Sequence, residues 1–94
     1  MASVKNLKKD VNYLTDEVVG TCLLHQYANK EENQQKVDQL IDEILESRED
    51  LINKLNHPED RPEGKSIKAW YNEQFDAFIE KVNATFEALG EIGE

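Results

Sequence analysis

The sequence predicts an all-α fold: an antiparallel, up-down-up bundle of three long helices, at about residues 4–28, 30–56 and 67–89. Two observations predict the helices. Apolar residues recur at spacings of three and four over three long stretches, and prolines and a glycine interrupt the chain between the second stretch and the third. Short connections make consecutive helices antiparallel neighbours, which completes the bundle. We therefore expect residues 1–94 to form a single domain.

The first helix is predicted from one apolar stripe. Its positions fall at spacings of three and four, so they share one side of a helix at about 100° per residue. Ser3 precedes the stripe and is the expected N-cap, since its hydroxyl can accept a backbone N–H of the first turn. The stripe consists of Val4, Leu7, Val11, Leu14, Val18 and Cys22, and continues to His25.

The second helix is predicted to follow a break at Ala28-Asn29-Lys30, where Asn29 suits both a helix end and a new N-cap. Glu32, three residues later, gives the spacing of a capping box. Arg48 lies on the same side as the apolar positions. These are Val37, Leu40, Ile41, Ile44, Leu45, Leu51, Ile52 and Leu55.

A loop is predicted over residues 57–64, because Pro58, Pro62 and Gly64 all disfavour a continuing helix. Ser66 is the expected N-cap of the third helix, and Gly90 its expected stop. Beyond Gly90 we expect a frayed tail unless Ile92 folds back. The third stripe is rich in aromatic residues and comprises Ile67, Trp70, Tyr71, Phe75, Phe78, Ile79, Val82, Phe86 and Leu89.

The charge is acidic and unevenly distributed. The net charge is −9, and residues 1–28 contribute nothing to it because three lysines balance three acids. An acidic chain repels phosphate groups, so we expect neither nucleic acid nor an anionic membrane as a partner. Cys22 is the one cysteine and cannot form an internal disulfide, and no segment resembles a signal peptide or a membrane span. The expected compartment is the cytoplasm.

The back of the first helix carries the main candidate site. With Val11 at 0° on a helical wheel, this side lies at roughly 120–220°, far from the apolar stripe. Either the bundle widens the stripe and covers these residues, or they form a surface for self-association or another partner. In the second case, Gly20 in the interior of the helix would allow the partner to approach the α1 backbone closely. The candidate interface residues on this side are Tyr13, Gly20, Leu23, Leu24 and Tyr27.

Two further features have competing interpretations. Trp70 lies to one side of its stripe, where it would either cover the open end of the bundle or anchor a partner. Cys22 and His25 stand one helical turn apart, but a metal site needs three or four ligands, and His57 is expected at the far end of the second helix. We therefore predict no metal and no cofactor, with Cys22 as a small core residue.

Two acidic pairs give a second functional hypothesis. Glu43-x-x-Glu46 and Glu73-x-x-Asp76 resemble the E-x-x-E and E-x-x-D pattern of the all-α NTP pyrophosphohydrolases, the MazG-like superfamily. The resemblance implies Mg²⁺ held by these four carboxylates and hydrolysis of a nucleotide between its α and β phosphates. On a helical wheel both pairs lie away from the apolar stripes, so only an oligomer would bring them together.

The leading interpretation is a non-enzymatic interaction module, a bundle that binds itself, as a dimer, or another protein. The alternative is the Mg²⁺-dependent hydrolase just described. In overall appearance the chain is similar to small helical bacterial proteins, and that similarity transfers no functional residues.

Overall fold

The computed structural model describes residues 4–28 and 31–92 and confirms an all-α three-helix bundle. Helix α1 spans Val4–Ala28, α2 spans Glu31–Asn56 and α3 spans Ile67–Ile92, with a short 3-10 helix at Pro58–Asp60. The bundle is a rod of about 49 × 21 × 17 Å, as long helices side by side require. The predicted cap at Ser3 and the predicted break at Asn29 lie outside the described residues.

The core runs along the rod and receives side chains from all three helices. It follows the centres of the first and third predicted stripes, whereas on α2 the buried residues lie to one side of the predicted centre near Ile41, Leu45 and Ile52. Its fully buried members include Val11, Val18, Cys22, Val37 and Ile44. The rest of the buried apolar set is Leu7, Leu51, Leu55, Trp70, Tyr71, Phe78, Val82 and Leu89.

Polar contacts of the loop fix where α3 begins. The Ser66 hydroxyl accepts the Ala69 N–H at 3.1 Å, which confirms Ser66 as the N-cap. Gly64 has a φ of 83°, a conformation that suits glycine because it lacks a Cβ. The Arg61 guanidinium donates to the carbonyl oxygens of Pro58 and Lys65, at 2.7 and 3.0 Å. The connection is therefore held by its own hydrogen bonds.

The C-terminal end of α2 is satisfied by residues outside the helix. The last four carbonyls of a helix have no partner within it. Here the Asn53 carbonyl accepts from Nδ1 of His57 at 2.8 Å, and the Lys54 carbonyl accepts from the His57 N–H at 3.2 Å. The Leu55 carbonyl accepts from the Tyr71 hydroxyl of α3 at 3.0 Å. Tyr71 thus joins the end of α2 to the beginning of α3.

Helix α3 ends three residues later than predicted. Gly90 lies inside the helix, which continues to Ile92, and Ile92 packs against the core. Burying an isoleucine side chain is worth up to about 1.5–3 kcal/mol, whereas glycine in a helix costs about 1 kcal/mol relative to alanine. Tertiary packing therefore outweighs the local stop signal.

Three residues assigned to the apolar stripes are exposed: Leu45, Ile67 and Phe86. The predicted stripes are wider than the buried surface, because each helix of a three-helix bundle contacts two neighbours and leaves its remaining side to water. Conversely, Thr15 and Thr85 are buried although neither was placed in a stripe. Each threonine hydroxyl donates to the carbonyl four residues earlier, at 2.8 and 2.9 Å, and so stays satisfied away from water.

Candidate functional site

The back of α1 is exposed, and we call Tyr13, Leu23, Leu24 and Tyr27, with Gly20 among them, the α1 patch. The exposed fractions are 64% for Tyr13, 53% for Leu23, 70% for Leu24 and 92% for Tyr27. At spacings of three, four and seven these residues occupy one side of the helix, at about 120–220° from Val11 on the wheel. The bundle therefore does not cover the surface that the sequence singled out.

Two other sides of α1 are occupied by its neighbours. On the flank toward α2, the Arg48 guanidinium donates to the Asn12 side chain at 2.7 Å. On the same flank, Gln26 bonds Asp38 and Lys8 bonds Asn56. The side of α1 next to this flank carries the apolar stripe, which is buried in the core. The back of the helix is exposed, and so are Asp10 and Glu17 on the side next to it, but the large exposed apolar side chains of α1 all lie on the back.

Gly20 is not required by the packing of one chain. A Cβ built at Gly20 would meet no atom within 4 Å, so an alanine would fit there without a clash. An interior glycine is about 1 kcal/mol less favourable than alanine in a helix. The packing of one bundle therefore gives no steric reason for a glycine at this position.

The polar atom of Tyr13 is satisfied on its own helix. Its hydroxyl donates to the Glu17 carboxylate at 2.9 Å, one turn away. This hydrogen bond, together with the negative charge of Glu17, raises the pKa of the Tyr13 phenol. The ring therefore presents an apolar face while its hydroxyl stays bonded, which favours burial against another surface.

Charge distinguishes α1 from the other two helices. Residues 1–28 carry no net charge, whereas residues 29–57 carry −4 and residues 58–94 carry −5. A second acidic surface would be repelled by α2 and α3 but not by α1. The apolar and the electrostatic criteria thus select the same helix.

Trp70 is only 6% exposed and belongs to the core, where its ring centroid lies 5.9 Å from that of Tyr71. This position supports its interpretation as cover for the end of the bundle. Trp70 therefore offers little surface to a partner.

Leu45 is an exposed apolar residue that the sequence reasoning placed in the core. Because α1 and α2 are antiparallel and Arg48 bonds Asn12 while Asp38 bonds Gln26, Leu45 lies level with about residues 15–19 of α1. It therefore adds apolar surface on the flank of α2 beside α1. On the helical wheel Leu45 lies about 70° from the mean direction of the predicted stripe, which places it at the edge.

Cys22 and His25 do not form part of a metal cluster. Cys22 is fully buried, and burial raises the pKa of its thiol, as for a core residue. His25 lies about one turn further along α1 and is partly buried. Over residues 4–28 and 31–92, no group of three or more histidine, cysteine, aspartate or glutamate side chains is placed to hold a metal ion.

The four carboxylates of the hydrolase hypothesis do not come together. Glu43 accepts a hydrogen bond from Lys81 at 3.0 Å, and Glu73 pairs with Lys65 at the start of α3. Glu46 and Asp76 are exposed. Within the described part of the chain these four carboxylates do not form a group that could hold a metal ion.

Two further findings bear on the site. No helix in the described residues is long and apolar enough to cross a membrane. Comparisons of the chain with protein-family models, with curated proteins and with solved structures gave no match. The functional argument therefore depends on the α1 patch itself.

Proposed function

We propose that this chain is a non-enzymatic protein-interaction module that self-associates through the α1 patch. The observation that carries the proposal is the exposure of four large apolar side chains on one side of α1. Contiguous exposed apolar surface usually marks a contact site in a folded protein. Tyrosine is also enriched at such sites, because it buries a large ring with few rotatable bonds.

Charge supports a protein surface as the partner. With a net charge of −9 the chain gains nothing from nucleic acid or an anionic lipid surface. Residues 1–28 carry no net charge, although Asp16 and Glu17 lie between Tyr13 and Tyr27, so contact through α1 keeps the more acidic α2 and α3 of two copies apart. As the compartment we propose the cytoplasm, supported by a single cysteine that lies in the core.

The proposal is tested by the mass of the protein in solution as a function of concentration. In sedimentation equilibrium from about 5 µM to about 1 mM, we expect the average mass to rise from the 10.9 kDa of one chain toward twice that value. The double substitution Leu24→Ser and Tyr27→Ser should keep the mass at that of one chain, because it removes the two most exposed apolar side chains.

The matched control is the double substitution Ile67→Ser and Phe86→Ser on α3. It removes two exposed apolar side chains of another helix, so we expect association at the wild-type level. A constant mass for the wild-type chain over the whole range would contradict the proposal. Equal loss of association in the patch variant and the control would refute the assignment to α1.

A further inference from the structure

We infer that the α1 patch binds the α1 patch of a second copy, with the two α1 helices antiparallel and a two-fold axis at Gly20. This inference rests on the proposed self-association and adds the geometry of the contact. In a two-fold interface each surface meets itself, so a residue that contacts a second one is contacted by it in the other copy. The residues of the α1 patch are spaced so that the patch can meet itself in this way.

The spacing of the two tyrosines locates the axis. Tyr13 lies seven residues before Gly20, and Tyr27 lies seven residues after it. Seven residues are about 10 Å along a helix and almost two turns, so all three positions share one side. When two such helices run antiparallel about Gly20, Tyr13 of each copy faces Tyr27 of the other. The two aromatic pairs then flank a central contact between glycines.

Gly20 is the residue that such an axis requires. At the axis the two backbones approach most closely, and a glycine leaves room for them. Within one chain no neighbour requires glycine at this position. The contact between two copies supplies a steric reason for the glycine. A larger side chain at position 20 would point directly at the same side chain of the second copy.

The charged residues between Tyr13 and Tyr27 are both acidic, Asp16 and Glu17, and this arrangement keeps them from facing the acids of the other copy. Asp16 of one copy would lie beside Leu24 of the other. The Asp16 residues of the two copies would therefore be about 12 Å apart in the direction of the helices. The Tyr13 hydroxyl already donates to Glu17, so its ring enters the contact without losing a hydrogen bond. The acidic helices α2 and α3 remain on the outer sides of the pair.

The exposed area sets the expected strength. The exposed fractions of Tyr13, Leu23, Leu24 and Tyr27 together equal nearly three whole side chains. At roughly 180 Å² for each large side chain this is about 500 Å² per copy, or about 1,000 Å² for the pair. This area is at the lower limit for a specific interface, so we expect a dissociation constant in the micromolar range or weaker.

Cross-linking by single cysteines tests the position of the axis. In a Cys22→Ala background, Gly20→Cys should form a disulfide between copies under mild oxidation. Helices 8–10 Å apart would place the two Cα atoms at position 20 about 4–5 Å apart, within disulfide range. Leu24→Cys should not cross-link, because the same axis separates its Cα atoms by about 12 Å along the helices. Cross-linking at position 24 but not at position 20 would overturn the inference.

A second variant tests the glycine without oxidation. Gly20→Leu adds apolar surface to the α1 patch, so non-specific stickiness predicts tighter association. A two-fold axis at Gly20 predicts the opposite, an increase of the dissociation constant by at least about tenfold, because the new side chain separates the two backbones. Gly90→Leu on α3, where a Cβ also meets nothing within 4 Å, is the control and should leave the dissociation constant within about twofold.

The outcomes separate the inference from the proposed function. A wild-type chain that stays monomeric at all concentrations refutes both. Association that is lost with Leu24→Ser and Tyr27→Ser but is unchanged or strengthened by Gly20→Leu refutes the axis at Gly20 and leaves self-association through the α1 patch in place.

Discussion

The hydrogen bond from Tyr71 to the end of α2 provides a quantitative test of how the bundle is held together. The Tyr71 hydroxyl donates to the Leu55 carbonyl at 3.0 Å, and both residues are buried. Substitution of Tyr71 by phenylalanine removes the donor and leaves the aromatic ring in place. The Leu55 carbonyl then loses its partner in a region that water does not reach.

The size of the effect follows from these facts. A buried hydrogen bond contributes about 0.5–1.5 kcal/mol net, and a buried acceptor left without a donor costs about 1–3 kcal/mol. We therefore expect Tyr71→Phe to lower the free energy of unfolding by about 1.5 kcal/mol. For a chain of 94 residues the entropy of unfolding is about 0.2 kcal/mol/K, so Tm should fall by about 8 °C.

The assay is urea and thermal unfolding followed by far-ultraviolet circular dichroism. Measurements are made at a low protein concentration, so that self-association does not add to stability. Tyr13→Phe is the matched control: it also removes one hydroxyl and one hydrogen bond, the bond to Glu17, but on the surface. We expect it to change stability by less than about 0.5 kcal/mol. Equal effects of the two substitutions would refute the capping role of Tyr71.

Two further predictions concern the core. Ile44 is fully buried, whereas Leu45 is 41% exposed. In urea unfolding, Ile44→Ala should therefore destabilise the bundle by about 2–5 kcal/mol and Leu45→Ala by less than about 1 kcal/mol. Comparable losses of stability in the two variants would contradict the orientation of α2. Cys22 is fully buried, and burial raises the pKa of its thiol. A thiol reagent should therefore label Cys22 about a thousandfold more slowly in the native protein than in urea. Labelling of the native protein within tenfold of the unfolded rate would contradict this burial.

Several features of this protein were predictable because they are local. The stripe through Val11, Val18 and Cys22 repeats with the period of a helix, and all three residues are buried. The break at Pro58 and the cap at Ser66 are equally local, since each depends on backbone groups a few residues away. The exposed back of α1 was predicted as one of two alternatives, because the sequence identified its residues but not whether a neighbour covers them.

The features that were missed depend on contacts between distant parts of the chain. Gly90 is a stop signal in isolation, but Ile92 reaches the core and the helix continues. Leu45 and Phe86 belong to apolar stripes, yet no neighbouring helix approaches them closely enough to bury them. Leu55 requires a donor at the end of α2, and only the packing of α3 identifies Tyr71 as that donor.

The sequence by itself determined three helices, the loop that separates the second from the third, and the centres of the first and third apolar stripes. It did so because helical periodicity, capping and proline chemistry act over a few residues. Only the tertiary structure decided that Trp70 is core and that Tyr13, Leu24 and Tyr27 are exposed. The physical reason is that the edges of a stripe are buried or exposed according to the direction from which neighbouring helices approach, and that direction is set by the whole bundle.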